Sequence, residues 1–187
     1  DGRGELNLPI FGDTAQVVLN AFVKNQKPSY YFRHYHSRHA WWNYDFDKEW
    51  RMRIQGQIPY PKTRTKLTVG VENIKNYCYF ENTGTATTNG FSNNVTPRQS
   101  SGNVQIISAN LCQDFKFGIL HFDNDITYQK STKQDLLPLP PLSLYSNLYI
   151  DFKIAKVLNC ELGGDVKFFT EYEAPDYSPV VSQFKLR

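Results

Sequence analysis

The sequence predicts an all-β fold: an antiparallel up-and-down transmembrane β-barrel, of which these 187 residues form one segment of about eight to nine strands without a separate domain boundary. Three observations carry that expectation. Residues 144–170 split into an apolar and a charged column at alternate positions, short and long connections alternate along the chain, and aromatic residues gather near strand ends.

The first observation is the sharpest. One column reads Leu144, Ser146, Leu148, Ile150, Phe152, Ile154 and, after a tight turn at Ala155-Lys156-Val157, Leu158, Cys160, Leu162, Gly164, Val166 and Phe168. The other includes Tyr145, Asn147, Tyr149, Asp151 and Lys153, then Asn159, Glu161, Gly163, Asp165 and Lys167. Side chains on a strand point alternately to opposite faces, so this is a hairpin with one uncharged and one charged face.

The same period places strands near 3–10, 14–24, 47–58, 64–75, 103–112, 117–129, 144–155 and 158–170, with a ninth starting at 182. In the second, the column runs from Ala15 to Val23; in the third, from Trp50 to Ile58, ended by Pro59. The fourth carries Thr65, Leu67, Val69 and Val71, and the sixth runs from Leu120 to Tyr128. None of these columns holds a charge. A lipid-facing Lys or Arg at the bilayer midplane costs about 2–4 kcal/mol, so such exclusion is expected there. A strand of about ten residues, tilted by ~40°, spans about 25 Å, the height of a barrel's apolar band.

Short connections fall at Phe11-Gly12-Asp13, Pro59-Tyr60-Pro61, Gln113 to Lys116 and around Lys156; long ones at 25–46, 76–102, 130–143 and 171–181. Antiparallel order puts all short turns at one end and all long loops at the other, the asymmetry of outer-membrane barrels. Phe46, Trp50, Tyr60, Tyr128, Phe168, Phe169 and Tyr172 sit where interfacial girdles belong. A soluble β-sandwich also hides one uncharged column per strand, and a soluble ligand-binding β-barrel is a third architecture compatible with alternation alone.

Composition sets outer limits. Mean hydropathy is −0.53, with 12 Tyr and 13 Phe, and no apolar run is long enough for a membrane helix. A net charge of +3, spread along strands, argues against nucleic acid as a partner. Cys78, Cys112 and Cys160 are an odd number without metal-site spacing, which argues against a disulfide framework or a zinc site. The start at Asp1-Gly2-Arg3 fits a mature or excised segment.

Little catalytic chemistry is visible. His34, His36 and His39 lie close, but His39 opposes the other two on an extended segment, and Arg33 and Arg38 disfavour a cation; no metal and no cofactor is expected. Ser37, His39 and Asp45 have the residue types of a hydrolase triad, without a nucleophile motif, and no enzyme is expected. Asn94-Val95-Thr96 matches a glycosylation sequon within a loop that reads as flexible and exposed. Pro138, Pro140 and Pro141 predict an extended, rigid stretch from Gln134 to Leu142.

Two segments carry a family resemblance. Tyr30-Tyr31-Phe32 with Ser37 to Phe46, and Phe169 to Pro179 followed by Gln183-Phe184, resemble the β-barrel porin family of Bacteroidetes outer membranes. Tyr128 to Ser131 and Leu137 to Leu144 match as well; the pattern departs at Arg38 and Ala40, where that family has Asn and an aromatic residue. The resemblance implies a multi-pass β-barrel in the bacterial outer membrane, an internal piece of a longer chain, with the lipid bilayer as its surroundings.

The expected function is that of a porin passing small hydrophilic solutes down a gradient. The candidate pore-lining residues are the charged column: Arg51, Arg53, Gln55 and Gln57; Lys66 and Glu72; His121, Asp123 and Asp125; and Asp151, Lys153, Glu161, Asp165 and Lys167. The alternative is a plugged outer-membrane barrel that serves as a platform for a lipoprotein or secretion partner docking at 130–143 and 171–181.

Overall fold

The computed structural model describes residues 2–10, 13–38, 40–84, 86–87, 90–91 and 95–186, with the backbone alone at 2–10, 13–16, 86–87 and 90–91. The chain is built of β-strands. β1 (Gly2–Ile10) and β2 (Asp13–Gln26) lead to a loop bearing a one-turn helix α1 (Tyr30–Arg33) and a small hairpin, β3 (His34–His36) with β4 (Trp41–Asn43). β5 (Glu49–Tyr60) and β6 (Thr65–Lys75) follow. The next long loop holds β7 (Cys78–Asn82), β8 (Ala86–Thr87), β9 (Gly90–Phe91) and β10 (Val95–Gln99). After β11 (Asn103–Phe117), β12 (Leu120–Ser131), β13 (Leu142–Ile154) and β14 (Leu158–Phe169) comes a last hairpin, β15 (Asp176–Ser178) with β16 (Gln183–Lys185).

The long strands form one antiparallel sheet in the order β1-β2-β5-β6-β11-β12-β13-β14, each beside its predecessor among them. The up-and-down topology is therefore as predicted. Among the described residues no pairing joins β1 to β14, so the sheet is an open wall with two edges and forms no closed barrel by itself. Short turns at Pro61–Thr63, 118–119 and 155–157 alternate with the long loops, the alternation expected, although Pro59 and Tyr60 of the predicted turn are the last residues of β5. Phe11 and Gly12 of the first predicted turn lie outside the described residues.

Two expectations need correcting. The predicted turn from Gln113 to Lys116 is strand: β11 runs on to Phe117, and the chain reverses at Gly118-Ile119. The reason is local, because Gly118 takes φ +62, a left-handed conformation that glycine adopts without penalty. The predicted ninth strand exists only as β16, which pairs with β15 and not with the wall.

Register makes each face continuous. Ala21, Ile54, Val71 and Ile107 stand in one row across four strands, and Phe122 and Leu148 continue the apolar face across β12 and β13. A polar row crosses that face. Thr65 donates to Gln113 Oε1 (2.5 Å) and Ser146 Oγ to Asn124 Oδ1 (2.7 Å), while Gln113 Nε2 reaches the Thr63 carbonyl at 2.6 Å. Satisfying one another is how uncharged polar side chains are tolerated on an apolar surface. Trp50 and Tyr128 stand at the loop end of the face beside Lys75 and Lys130; Tyr60, Phe115, Phe117 and Phe122 stand at the turn end. Phe115 stacks on Phe117 and Phe122, both at 6.3 Å. The aromatic bands are thus fuller at the turn end than the sequence suggested, whereas Phe46 and Tyr172 lie in loops.

Gly163 marks a close approach between β13 and β14. A Cβ there would lie 2.3 Å from the Leu148 carbonyl oxygen and 2.4 Å from Tyr149 Cβ; at Gly164 nothing lies within 4 Å. Gly163→Ala should cost about 1–3 kcal/mol, read as a lowered thermal midpoint in detergent, while Gly164→Ala leaves that midpoint unchanged.

Candidate functional site: the charged face and its loop cap

All fourteen residues of the predicted charged column share one face. Arg53 stands opposite Glu72, Gln57 opposite Thr68, Lys66 opposite Cys112, and Cys112 opposite Asp125. Beyond β12 the rows continue through Asp123–Asn147–Asp165 and His121–Tyr149–Gly163, then Asp151–Glu161 and Lys153–Asn159. Parity does this without further help, since every one of these residues is an even number of positions from the next along its strand.

Charge is distributed unevenly over the face. Lys24, Arg51, Arg53 and Lys66 stand against Glu49 and Glu72 on β2, β5 and β6. On β11 to β14 the acids Asp114, Asp123, Asp125, Asp151, Glu161 and Asp165 outnumber Lys116, Lys153 and Lys167. Two like-charged pairs face each other directly, Asp114 with Asp123 and Asp151 with Glu161. Such opposition destabilises a sheet unless water or counter-ions screen it, so this region is a wetted one.

Individual partners differ. Arg51 forms an ion pair with Glu72, whereas Arg53 has none among the described residues. Asn110 Nδ2 donates to Asp125 (2.5 Å) and to Thr127 Oγ1 (2.8 Å), which holds that carboxylate in place. Lys167 Nζ lies 5.5 Å over the Tyr145 ring, and His121 stacks on Tyr149 at 4.7 Å. Asp114, Lys116 and Asn110 lie on the same face and were missed, whereas Tyr149 was read on the charged column without being singled out. For the first two the signal was present, because the period-two run continues through residues 113–117.

The long loops pack as one cap. Trp42, Phe80, Val95 and Val181, from three different loops, form a buried apolar cluster with Tyr31, Phe32, Tyr35 and Ala40 against it. Phe32 and Phe80 stack at 4.6 Å, Tyr31 Oη donates to the Val181 carbonyl at 2.5 Å, and Leu186 bonds to the backbone of Phe80 and Asn82. Arg98–Glu81 (3.0 Å) and Lys185–Asp176 (3.7 Å) pin the small hairpins. The cap covers the loop end of the charged face: Ile74 and Val104, which share that face, are 1% and 0% exposed, and Ser131 is buried beside them. In the loop read as flexible and exposed, Val95–Gln99 pair with Cys78–Asn82, while Asn94 of the sequon lies outside the described residues.

Among the catalytic and metal candidates, His34 and His36 share one face of the β3–β4 hairpin. Ser37 Oγ donates to the Ala40 carbonyl, Asp45 pairs with Lys27 at 3.6 Å, and His39 lies outside the described residues. His34 Nδ1 sits 2.6 Å from Asn43 Oδ1, and no group of three His, Cys, Asp or Glu able to hold a metal occurs among the described residues.

A family described as "Putative porin" matches the chain over residues 2–187. The chain belongs to that porin family. No curated protein and no solved structure matches it.

Within the cap, burial first and the Glu49 carboxylate second push the Cys78 thiol up to about 11, against a smaller opposing effect of the Gln99 hydrogen bond. The folded protein keeps this proton while the unfolded chain loses it, so the stability contributed here is full below about 9 and falls as pH climbs toward about 11. In a variant whose single cysteine is Cys78, iodoacetamide labelling of the folded protein should be slow at pH 8 and rise without a plateau through pH 10. A plateau near pH 9, as for an exposed thiol, would contradict the buried environment.

Proposed function

We propose that this wall belongs to an outer-membrane porin that lets small hydrophilic solutes diffuse passively, with lipid against its apolar face and water against its charged face. The observation that carries the proposal is the exposure of the apolar face. Ile54 and Leu162 are 48% and 67% exposed, as are large apolar residues on every side-chain-described strand of the wall, while the charged face is the one the loops fold over. A sheet with the opposite arrangement would suit water on its outside; this one needs an apolar solvent. Membership of the porin family supports the same assignment. The uncharged column then spans the hydrocarbon, with Trp50 and Tyr128 at one interface and the Phe115 cluster at the other, and Lys75 and Lys130 extending to the headgroups.

Solute preference follows from fixed charge. Basic strands on one part of the wall and acidic strands on another set up a field transverse to the path, to which Arg53 contributes without an ion pair among the described residues. In reversal-potential measurements across planar bilayers, Arg53→Gln should shift preference toward cations. The double variant Arg51→Gln/Glu72→Gln removes a neutral pair and should leave preference near that of the parent.

A second function, a plugged barrel acting as a platform for a lipoprotein or secretion partner, is favoured by the cap over the charged face. The two differ in single-channel conductance of the detergent-purified protein. Discrete ohmic steps support the open pore, and insertion without steps supports the platform. Trp42→Ala removes the centre of the cap, a truncation of the kind that costs about 3–5 kcal/mol in a packed core. It should raise conductance if the cap constricts the path.

A further inference from the structure

We propose that the outward face of the β3–β4 hairpin is a carbohydrate-binding site, receiving pyranose rings against Trp41 and Tyr30. The hairpin is built in two layers. Pairing sets Tyr35 opposite Trp42 on the inner face, and His34 opposite Asn43 and His36 opposite Trp41 on the outer one. The inner pair is anchored: the two rings stack at 4.6 Å, Trp42 Nε1 donates to the Tyr31 carbonyl at 2.9 Å, and Trp42 is 4% exposed. Trp41 and Tyr30, by contrast, are each 70% exposed. They border a shallow pocket of about 590 Å³ that includes His34, His36 and Asn43.

Large aromatic surface held open to water on a rigid hairpin is a prepaid binding surface, because ordering it on contact costs little further entropy. The chemistry of the rim selects the ligand. Asn43 and the two imidazoles offer donors and acceptors around the aromatic faces, matching a molecule with an apolar C–H face and a hydroxyl edge. His34 Nδ1 and Asn43 Oδ1 already pair at 2.6 Å, which leaves the Asn43 amide nitrogen and the His36 imidazole to meet a ligand's hydroxyls, and an organic cation is opposed by Arg33, whose guanidinium lies 6.0 Å from the Tyr30 ring centre. The site is independent of whether the wall conducts.

The test is tryptophan fluorescence of the detergent-purified protein, titrated with a panel of hexasaccharides of α- and β-linked glucose, mannose, galactose and xylose up to about 10 mM. Saturable quenching by at least one member is expected. Affinity should fall about tenfold or more in Trp41→Ala and Tyr30→Ala, stay within a few-fold in Trp41→Tyr, and be unchanged in Trp50→Phe. Because Trp41 is exposed, its truncation leaves the anchored inner layer in place, which circular dichroism verifies. A panel wholly silent on folded protein overturns the proposal. So does binding indifferent to Trp41→Ala, and so does binding of tetramethylammonium or indole with no response to any sugar.

Discussion

The hydrogen-bond register of the wall is the constraint on which everything else depends. Side chains alternate with a period of two, so sliding any one strand by a single residue would carry its whole charged column onto the apolar face. Eight strands keep the same parity: Ala21, Ile54, Val71 and Ile107 line up without a break, as do Arg53 and Glu72 behind them. A slip of β12 would put Asp123 and Asp125 among Leu111, Phe115 and Leu148, an arrangement whose cost in hydrocarbon exceeds any gain from local propensity. The tight turns help to fix this register. Gly118 and the left-handed pair Ala155-Lys156 reverse the chain in so few residues that neighbouring strands have little freedom to shift.

Such a constraint is legible in a sequence because it repeats. The apolar columns of six strands, the alternation of short and long connections and the charged face could all be read from period alone. The end of β11 was misjudged because Gln113-Asp114 resembles turn chemistry, so Phe115 was assigned to a connection and Phe117 to the start of the following strand. The cue that competes correctly is Gly118, whose missing side chain matters more than the polarity of its predecessors. The loop cap was not legible. Trp42, Phe80, Val95 and Val181 are scattered over almost 140 positions and no periodicity links them, because their packing is tertiary throughout. Nor does composition indicate that Arg51 is neutralised by Glu72 while Arg53 is not, a distinction made by one diagonal across a ladder.

The two ends of the wall differ in kind as well as in length. At the turn end, polar chemistry amounts to a few backbone groups and side chains such as Lys62, Arg64 and Lys156. At the loop end it amounts to helix α1, four small hairpins and a network of ion pairs and buried aromatics. For a wall placed in the outer membrane as proposed, with its short turns on the periplasmic side and its long loops outside, this asymmetry orders the steps of assembly. Loops already folded would have to surrender their whole hydrogen-bond complement to cross a hydrocarbon layer. The loops therefore cross before they fold, and the cap closes only after the strands are in place.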